Sequence, residues 1–219
     1  MSITDRSDGK ALLNALKRTA GTRGCGVCLT VGEPAQAVLR PVATRADRLK
    51  SEDVRLLTEW RNRFIPSFLT DFVATESRTS QWLTDFVGTN ENKILFMVEV
   101  NGKPVGNIGL DFINWETGYG EADNIVRGEE APRGLMKLAL RTTLDWAYRQ
   151  LGLSKIGVRV RSDNPALEYY RKVGFEEIKR IPLRRTEEPG MVRWVEDPAF
   201  GQATASLVYM LYKPTPDAV

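Results

Sequence analysis

The chain has 219 residues, 42% hydrophobic and 27% charged, a balance that suits a globular domain and excludes a disordered or fibrous chain. A net charge of +3 gives no support to a nucleic-acid partner, and the absence of histidine excludes His-based triads, His-containing zinc sites and a histidine general base. The two cysteines, Cys25 and Cys28, form one C-x-x-C pair without the second half of a four-ligand zinc site, so two reduced thiols on a short strand and no metal are expected.

The polar start MSITDRSDGK lacks the apolar core of a signal peptide, and no apolar run approaches the ~20 residues that span a bilayer. A cytoplasmic protein without a membrane partner is expected. Residues 1–36 read as an N-terminal extension: Ala11, Leu12, Ala15 and Leu16 make a helical stripe, and 26–31 a short strand. This extension is a candidate docking element, for instance in a homodimer. Residues 37–219 form the main domain. Ala37 to Thr44 reads as a strand, and Ser51-Glu52-Asp53 starts a helix carrying Val54, Leu57 and Trp60. The segment 63–87 is rich in rings (Phe64, Phe68, Phe72, Trp82 and Phe86), of which at least half are expected in the core.

Strands follow at 94–100, 104–115 and 121–126, with Asn101-Gly102 as a hairpin turn. Met136, Leu140, Leu144, Ala147 and Leu151 fall at helical spacing, which predicts an amphipathic helix over 135–151. Ile156, Val158 and Val160 alternate as a strand, Ser162-Asp163-Asn164-Pro165 starts a short helix, and Gly174 ends it. Phe175 opens another strand, residues 187–204 read as a loop, and 205–213 as the last strand.

The run Asn164-Pro165-Ala166-Leu167-Glu168-Tyr169-Tyr170-Arg171-Lys172-Val173-Gly174-Phe175 resembles the N-x-x-A-x-x-x-Y-x-K-x-G-F segment of the GNAT superfamily of acyl-CoA-dependent N-acetyltransferases. The opening LRPV…LLTEWRN resembles the branch containing sugar-nucleotide amine acyltransferases and ribosomal-protein N-terminal acetyltransferases. Where that branch often carries His-x-x-Trp, this chain has Thr79-Ser80-Gln81-Trp82. The resemblance implies an α/β fold, a mixed sheet with a splayed parallel pair flanked by helices, and acetyl-CoA as co-substrate.

The resemblance also implies the site. Asp163 or Asn164, with Ala166, Tyr170 and Lys172, would contact the co-substrate, and Tyr170 would meet the departing thiolate. Tyr169 should face elsewhere and pack. Family members carry a [Q/R]-x-x-G-x-[G/A] loop for the diphosphate; here Gly134 takes the central glycine, Ala131 replaces Gln or Arg, and Met136 replaces the small residue. Arg133 would restore the charge, with Leu135 opening the helix and Ile125, Val126 and Arg127 ending the preceding strand. Glu121 matches the acidic residue that acts as base in many relatives, with Asp123 in reserve and Asp111 third. By period-2 alternation Glu121, Asp123 and Ile125 share one face.

The acceptor implied by the branch is the amino group of a nucleotide-linked sugar. Arg61, Arg63 and Arg78 would meet its diphosphate, beside Phe64 and Trp82. A protein N-terminal acetyltransferase and a non-catalytic acyl-CoA-binding module stay open as alternatives.

Overall fold

The computed structural model describes residues 6–22 and 26–214, so Cys25 lies outside the described residues. Two compact units emerge, one of Met1–Thr58 with Thr75–Ile156, the other of Glu59–Ala74 with Gly157–Val219.

The first unit is built on five antiparallel strands in the order β1 (Leu29–Val31), β2 (Ala37–Pro41), β4 (Ile94–Val100), β5 (Lys103–Asn114) and β6 (Tyr119–Arg127). Asn101 and Gly102 both take positive φ, 50° and 76°, the backbone of a two-residue hairpin whose twist matches its strands. Helix α4 (Leu135–Arg149) packs on β1, β2 and β5, burying Ala139, Leu140, Leu144 and Ala147 at zero exposure. Trp146 meets Phe96 edge-on at 5.5 Å. Gly106 on β5 admits no side chain, since a Cβ there would stand 2.3 Å from the Val126 carbonyl.

Helix α1 (Arg6–Thr19) is part of this unit. Leu13 is fully buried and Leu16 nearly so, and Gly9 lies so close to Leu151 that a Cβ would stand 2.3 Å from its carbonyl oxygen. Arg6 donates to the Glu116 carbonyl at 2.6 Å. Of the stripe expected in the extension only Leu16 is buried, while Ala11 is exposed and Leu12 and Ala15 are half-buried; the face turned to this chain's own core is Gly9, Leu13, Leu16 and Lys17. Cys28 is a free, exposed thiol just before β1 rather than on it.

The second unit carries the antiparallel strands β7 (Lys155–Arg161), β10 (Ser206–Tyr212), β8 (Phe175–Glu188), β9 (Met191–Glu196) and β3 (Thr70–Asp71), neighbours in that order. The loop expected at 187–204 is in its first half a hairpin. Pro189 and Gly190 (φ 73°) form its two-residue turn, and Met191 to Glu196 pair with Leu183 to Glu188. A Pro-Gly pair marks a turn whether or not strands flank it, and β9, which reads MVRWVE, lacks the period-2 alternation that would announce a strand. Helix α5 (Ala166–Val173) packs on β8 and ends at Gly174 with φ 120°.

Helix α2 (Ser51–Arg63) buries Val54, Leu57 and Trp60 along one stripe. Helix α3 (Glu76–Gln81) is capped by the Thr75 hydroxyl and widens into a π-helical turn over Trp82–Val87.

Candidate active site

In the first unit the site residues lie on β6 and at the start of α4. Glu121 is buried opposite Asp111 on β5, and the Tyr119 hydroxyl donates to Glu121 Oε1 at 2.9 Å. Asp123 is held differently. Its carboxylate takes the Lys93 ammonium at 2.7 Å, and the same ammonium reaches Asp111 at 2.6 Å. The Asn124 side-chain amide donates to the same Asp123 oxygen. The Lys93 side chain is only 4% exposed and its ammonium sits 5.9 Å over the Trp82 ring. Burial pulls the Lys93 pKa down, but Asp123 and Asp111 outweigh it and the net shift is upward, so Lys93 is a cation at neutral pH.

Sequence reasoning missed Lys93. Its one local signal was a lysine opening an otherwise apolar strand, and its partners lie 18 and 30 residues away. The structure also corrects the alternation on β6. Asn124 takes φ 50°, and the β5–β6 register slips between Asn107 and Gly109, so three β6 steps oppose two on β5. This bulge breaks the run Glu121, Asp123, Ile125 after Asp123. Asn107 donates its side-chain amide to the Asn124 carbonyl and holds the bulge in place.

At the end of β6, Ile125 and Val126 are half-buried and Arg127 exposed. Gly134 caps α4 with φ 85°, and a Cβ there would meet no atom within 4 Å. No side chain caps this helix, and its first turn carries no acidic residue. The Leu135 amide donates to the Pro132 carbonyl at 3.0 Å, and a helix of 15 residues sets its positive end here, a setting that favours a phosphate. Arg133 is exposed beside it, while Leu135 and Met136 are buried: the side chain replacing the family's small residue points into the core.

In the second unit Tyr170 is 8% exposed, its ring edge-on to Phe175 at 5.8 Å and to Tyr169 at 5.5 Å. Tyr169 is half-buried, and burial pushes its phenol well above the ordinary range. The expectation that Tyr169 faces elsewhere is therefore too simple, since the two neighbouring rings touch. Asp163 is paired with Arg161 at 2.6 Å, which holds its carboxyl below the usual range. Asn164 accepts from the Ala166 amide at 2.9 Å and donates to the Ser67 carbonyl at 3.0 Å. Ala166 is half-buried and Lys172 exposed.

The ring-rich segment departs most from expectation. None of Phe64, Phe68, Phe72, Trp82 and Phe86 is buried, and Phe86 is 58% exposed. The Trp-Arg-Asn string has structural work: Trp60 is 1% exposed, and Asn62 exchanges hydrogen bonds with both backbone groups of Ala74. Arg61 stacks on Phe68 at 4.0 Å and Phe72 at 4.6 Å and donates to the Thr70 carbonyl. The guanidinium is thus held against its own segment, which the sequence did not show. Arg63 and Arg78 are exposed. Thr79, at the position of the family's histidine, is buried and hydrogen-bonded to the Thr58 hydroxyl at 2.7 Å. Among the described residues no cluster of carboxylates and thiols could hold a metal ion, and no helix is long and apolar enough to cross a membrane.

The acetyltransferase (GNAT) domain family matches residues 38–176. Among solved structures, a probable GNAT-family acetyltransferase from Chromobacterium violaceum is 17% identical, covering 84% of this chain and 89% of its own, with a TM-score of 0.63. A chimera of the spermidine N-acetyltransferase SpeG from Vibrio cholerae and hSSAT is 19% identical over 81% of this chain and 95% of its own, with a TM-score of 0.61. The dodecameric spermidine N-acetyltransferase from Vibrio cholerae is 22% identical over 80% and 92%, with a TM-score of 0.56. At these identities the likeness is one of fold. No curated protein matches the chain in sequence. With the family match covering well over half of its length, the chain belongs to the GNAT acetyltransferases, the α/β mixed-sheet enzymes that transfer an acyl group from acyl-CoA to an amine.

Proposed function

We propose that this enzyme acetylates a small cationic amine of the polyamine class, using acetyl-CoA in one direct transfer. The observation that carries the acceptor class is Asp71, whose buried Oδ1 has no hydrogen-bond partner among the described residues. It adjoins Phe72 and shares the short segment of Phe68. A carboxylate oxygen left without a donor on a half-buried residue, next in the chain to a partly exposed ring, suits an alkyl ammonium: the charge would meet the carboxylate and the methylenes the ring. The spermidine N-acetyltransferases among the structural relatives act on amines of this kind.

In this reading the α4 amides behind Gly134, helped by Arg133 and Arg127, hold the acetyl-CoA diphosphate. Ile125 and Val126 line its thioester arm, and Ala166, Lys172 and Asn164 complete the co-substrate contacts. The amine must lose a proton before it attacks the thioester carbon. Glu121 is the base in this reading, because the Asp111 and Asp123 carboxylates are both engaged by the Lys93 ammonium. The C–S bond then breaks, and the Tyr170 hydroxyl meets the sulfur. Transfer from a phenol near ~10 to a thiol near ~8.5 is uphill by about 2 kcal/mol, acceptable where a hydrogen bond suffices.

The second reading, a nucleotide-linked amino sugar, rests on exposed Arg63 and Arg78. One experiment separates the classes: thiol release from acetyl-CoA with spermidine, amino-sugar nucleotides and short peptides. Spermidine should give the highest kcat/KM, and Asp71→Asn should raise its KM while sparing that of acetyl-CoA. A higher kcat/KM with an amino-sugar nucleotide selects the second reading. A higher value with a peptide selects N-terminal acetylation, and no thiol release with any amine points to a binding module.

A further inference from the structure

A cavity of about 400 Å³ opens on the first unit, where α1 meets the segments after β2 and after the π-helical turn. Its wall carries Lys17 and Arg18 from α1, Thr44 and Arg45, and Thr89 and Glu91. Three cations thus face a single carboxylate, and Glu91 is already paired with Lys10 at 2.7 Å. Arg45 turns one edge to Asp47 at 3.1 Å, in an exposed pair of little strength.

Lys17 is the unusual member. It is 7% exposed, its ammonium donates to the Asn90 carbonyl at 2.6 Å, and no ion pair reaches it among the described residues. A buried ammonium without a counter-ion is costly. Its pKa is pulled down to about 8, chiefly by burial; Glu91 and Asp111 oppose the shift and Lys93 adds to it. An anion in the cavity would supply the missing partner.

We propose that this cavity binds a small phosphate-type dianion, with Lys17, Arg18 and Arg45 supplying charge and Thr44 and Thr89 hydroxyl groups. None of these residues carries a role in acyl transfer. The volume sits at the low end of the ~300–1,000 Å³ range of small-molecule sites and fits a phosphorylated metabolite of modest size. Two guanidinium forks suit the oxygens of a phosphate. Lys17 and Arg18 lie outside the family match at 38–176, so the site is one that the N-terminal extension adds to the acetyltransferase.

The test uses the full chain, titrated with sodium sulfate against sodium chloride at matched ionic strength, read by melting temperature and by calorimetry. Sulfate keeps a fixed charge across the pH range that matters, and inorganic phosphate is run beside it. Saturable stabilisation by both anions is expected, and Arg18→Gln and Arg45→Gln should each weaken binding about tenfold while leaving thiol release unchanged. Sulfate affinity should fall as pH rises from about 7 to about 9, because Lys17 then loses its proton, and Lys17→Met should remove that dependence. If Lys17→Met does not fold, the two arginine variants still decide. Sulfate acting no more strongly than chloride, or binding that ignores both arginine variants, would overturn the site. Displacement of sulfate by acetyl-CoA would give the site to the co-substrate instead, and tighter binding of succinate would overturn the phosphate class.

Discussion

Lys93 holds two carboxylates, with its own side chain and Asp111 buried and Asp123 partly exposed. Its pKa is raised above 10.5, so its contribution to stability is complete below the unfolded-state value and is lost only as pH climbs through the higher folded value. Lys93→Met leaves Asp111 and Asp123 without their cation and should cost about 3–5 kcal/mol, measured by urea unfolding. Adding Asp111→Asn and Asp123→Asn should recover much of that loss; a triple variant no more stable than Lys93→Met would mean that the lysine acts by packing. Tyr170 and Tyr169 make a second test at this scale. Tyr170→Phe should lower kcat by roughly 10²-fold with folding and acetyl-CoA affinity kept, because only the hydroxyl is lost. Tyr169→Phe should do far less, its phenol being held neutral by burial. Equal losses from the two would remove the assigned role from Tyr170.

Among the elements, the start of α4 combines a conformational demand with an electrostatic one. Gly134 has φ 85°, so any side chain there is strained even though the surrounding space is open. Gly134→Ala and Gly134→Asp should therefore both destabilise the free protein, by about 1–3 kcal/mol in thermal unfolding. Acetyl-CoA affinity should separate them. The alanine leaves the helix amides accessible, while the aspartate sets a negative charge where the diphosphate should sit and should weaken binding by roughly tenfold or more in calorimetry. Similar affinity for both variants would move the phosphate site to another loop. Helix α1 poses a different question, because its buried face is turned to this chain's own core. Leu13→Ala should cost about 2–5 kcal/mol, the range of a core leucine. A loss below about 1 kcal/mol would return α1 to the status of an appendage.

For the molecule as a whole, local backbone chemistry and long-range partnership divide the information. Periodicity placed β4, β5, α4 and β7 within a residue or two of their ends, since an alternating or 3.6-residue stripe needs nothing beyond its own segment to be read. The turns at Asn101-Gly102 and Gly174 and the family membership were legible for the same reason: each rests on residues close together in the chain. The family resemblance puts Glu121 ahead of Asp123 as candidate base, but the engagement of Asp123 was not legible, because its lysine partner arrives from 30 residues away. Arg61 read as a cation free for an acceptor until Phe68, Phe72 and the Thr70 carbonyl were seen around it. At least half of the rings in 63–87 read as core because rings usually are, yet Phe64, Phe68 and Phe72 lie on irregular backbone whose burial no period predicts. The sequence by itself determined most of the elements, the fold class and the acyltransferase family, all carried by short-range pattern. Only the tertiary structure decided which carboxylates meet an ammonium, which arginines are engaged and where Lys17 finds no counter-ion among the described residues, because a charge acquires its meaning from whatever the fold sets beside it.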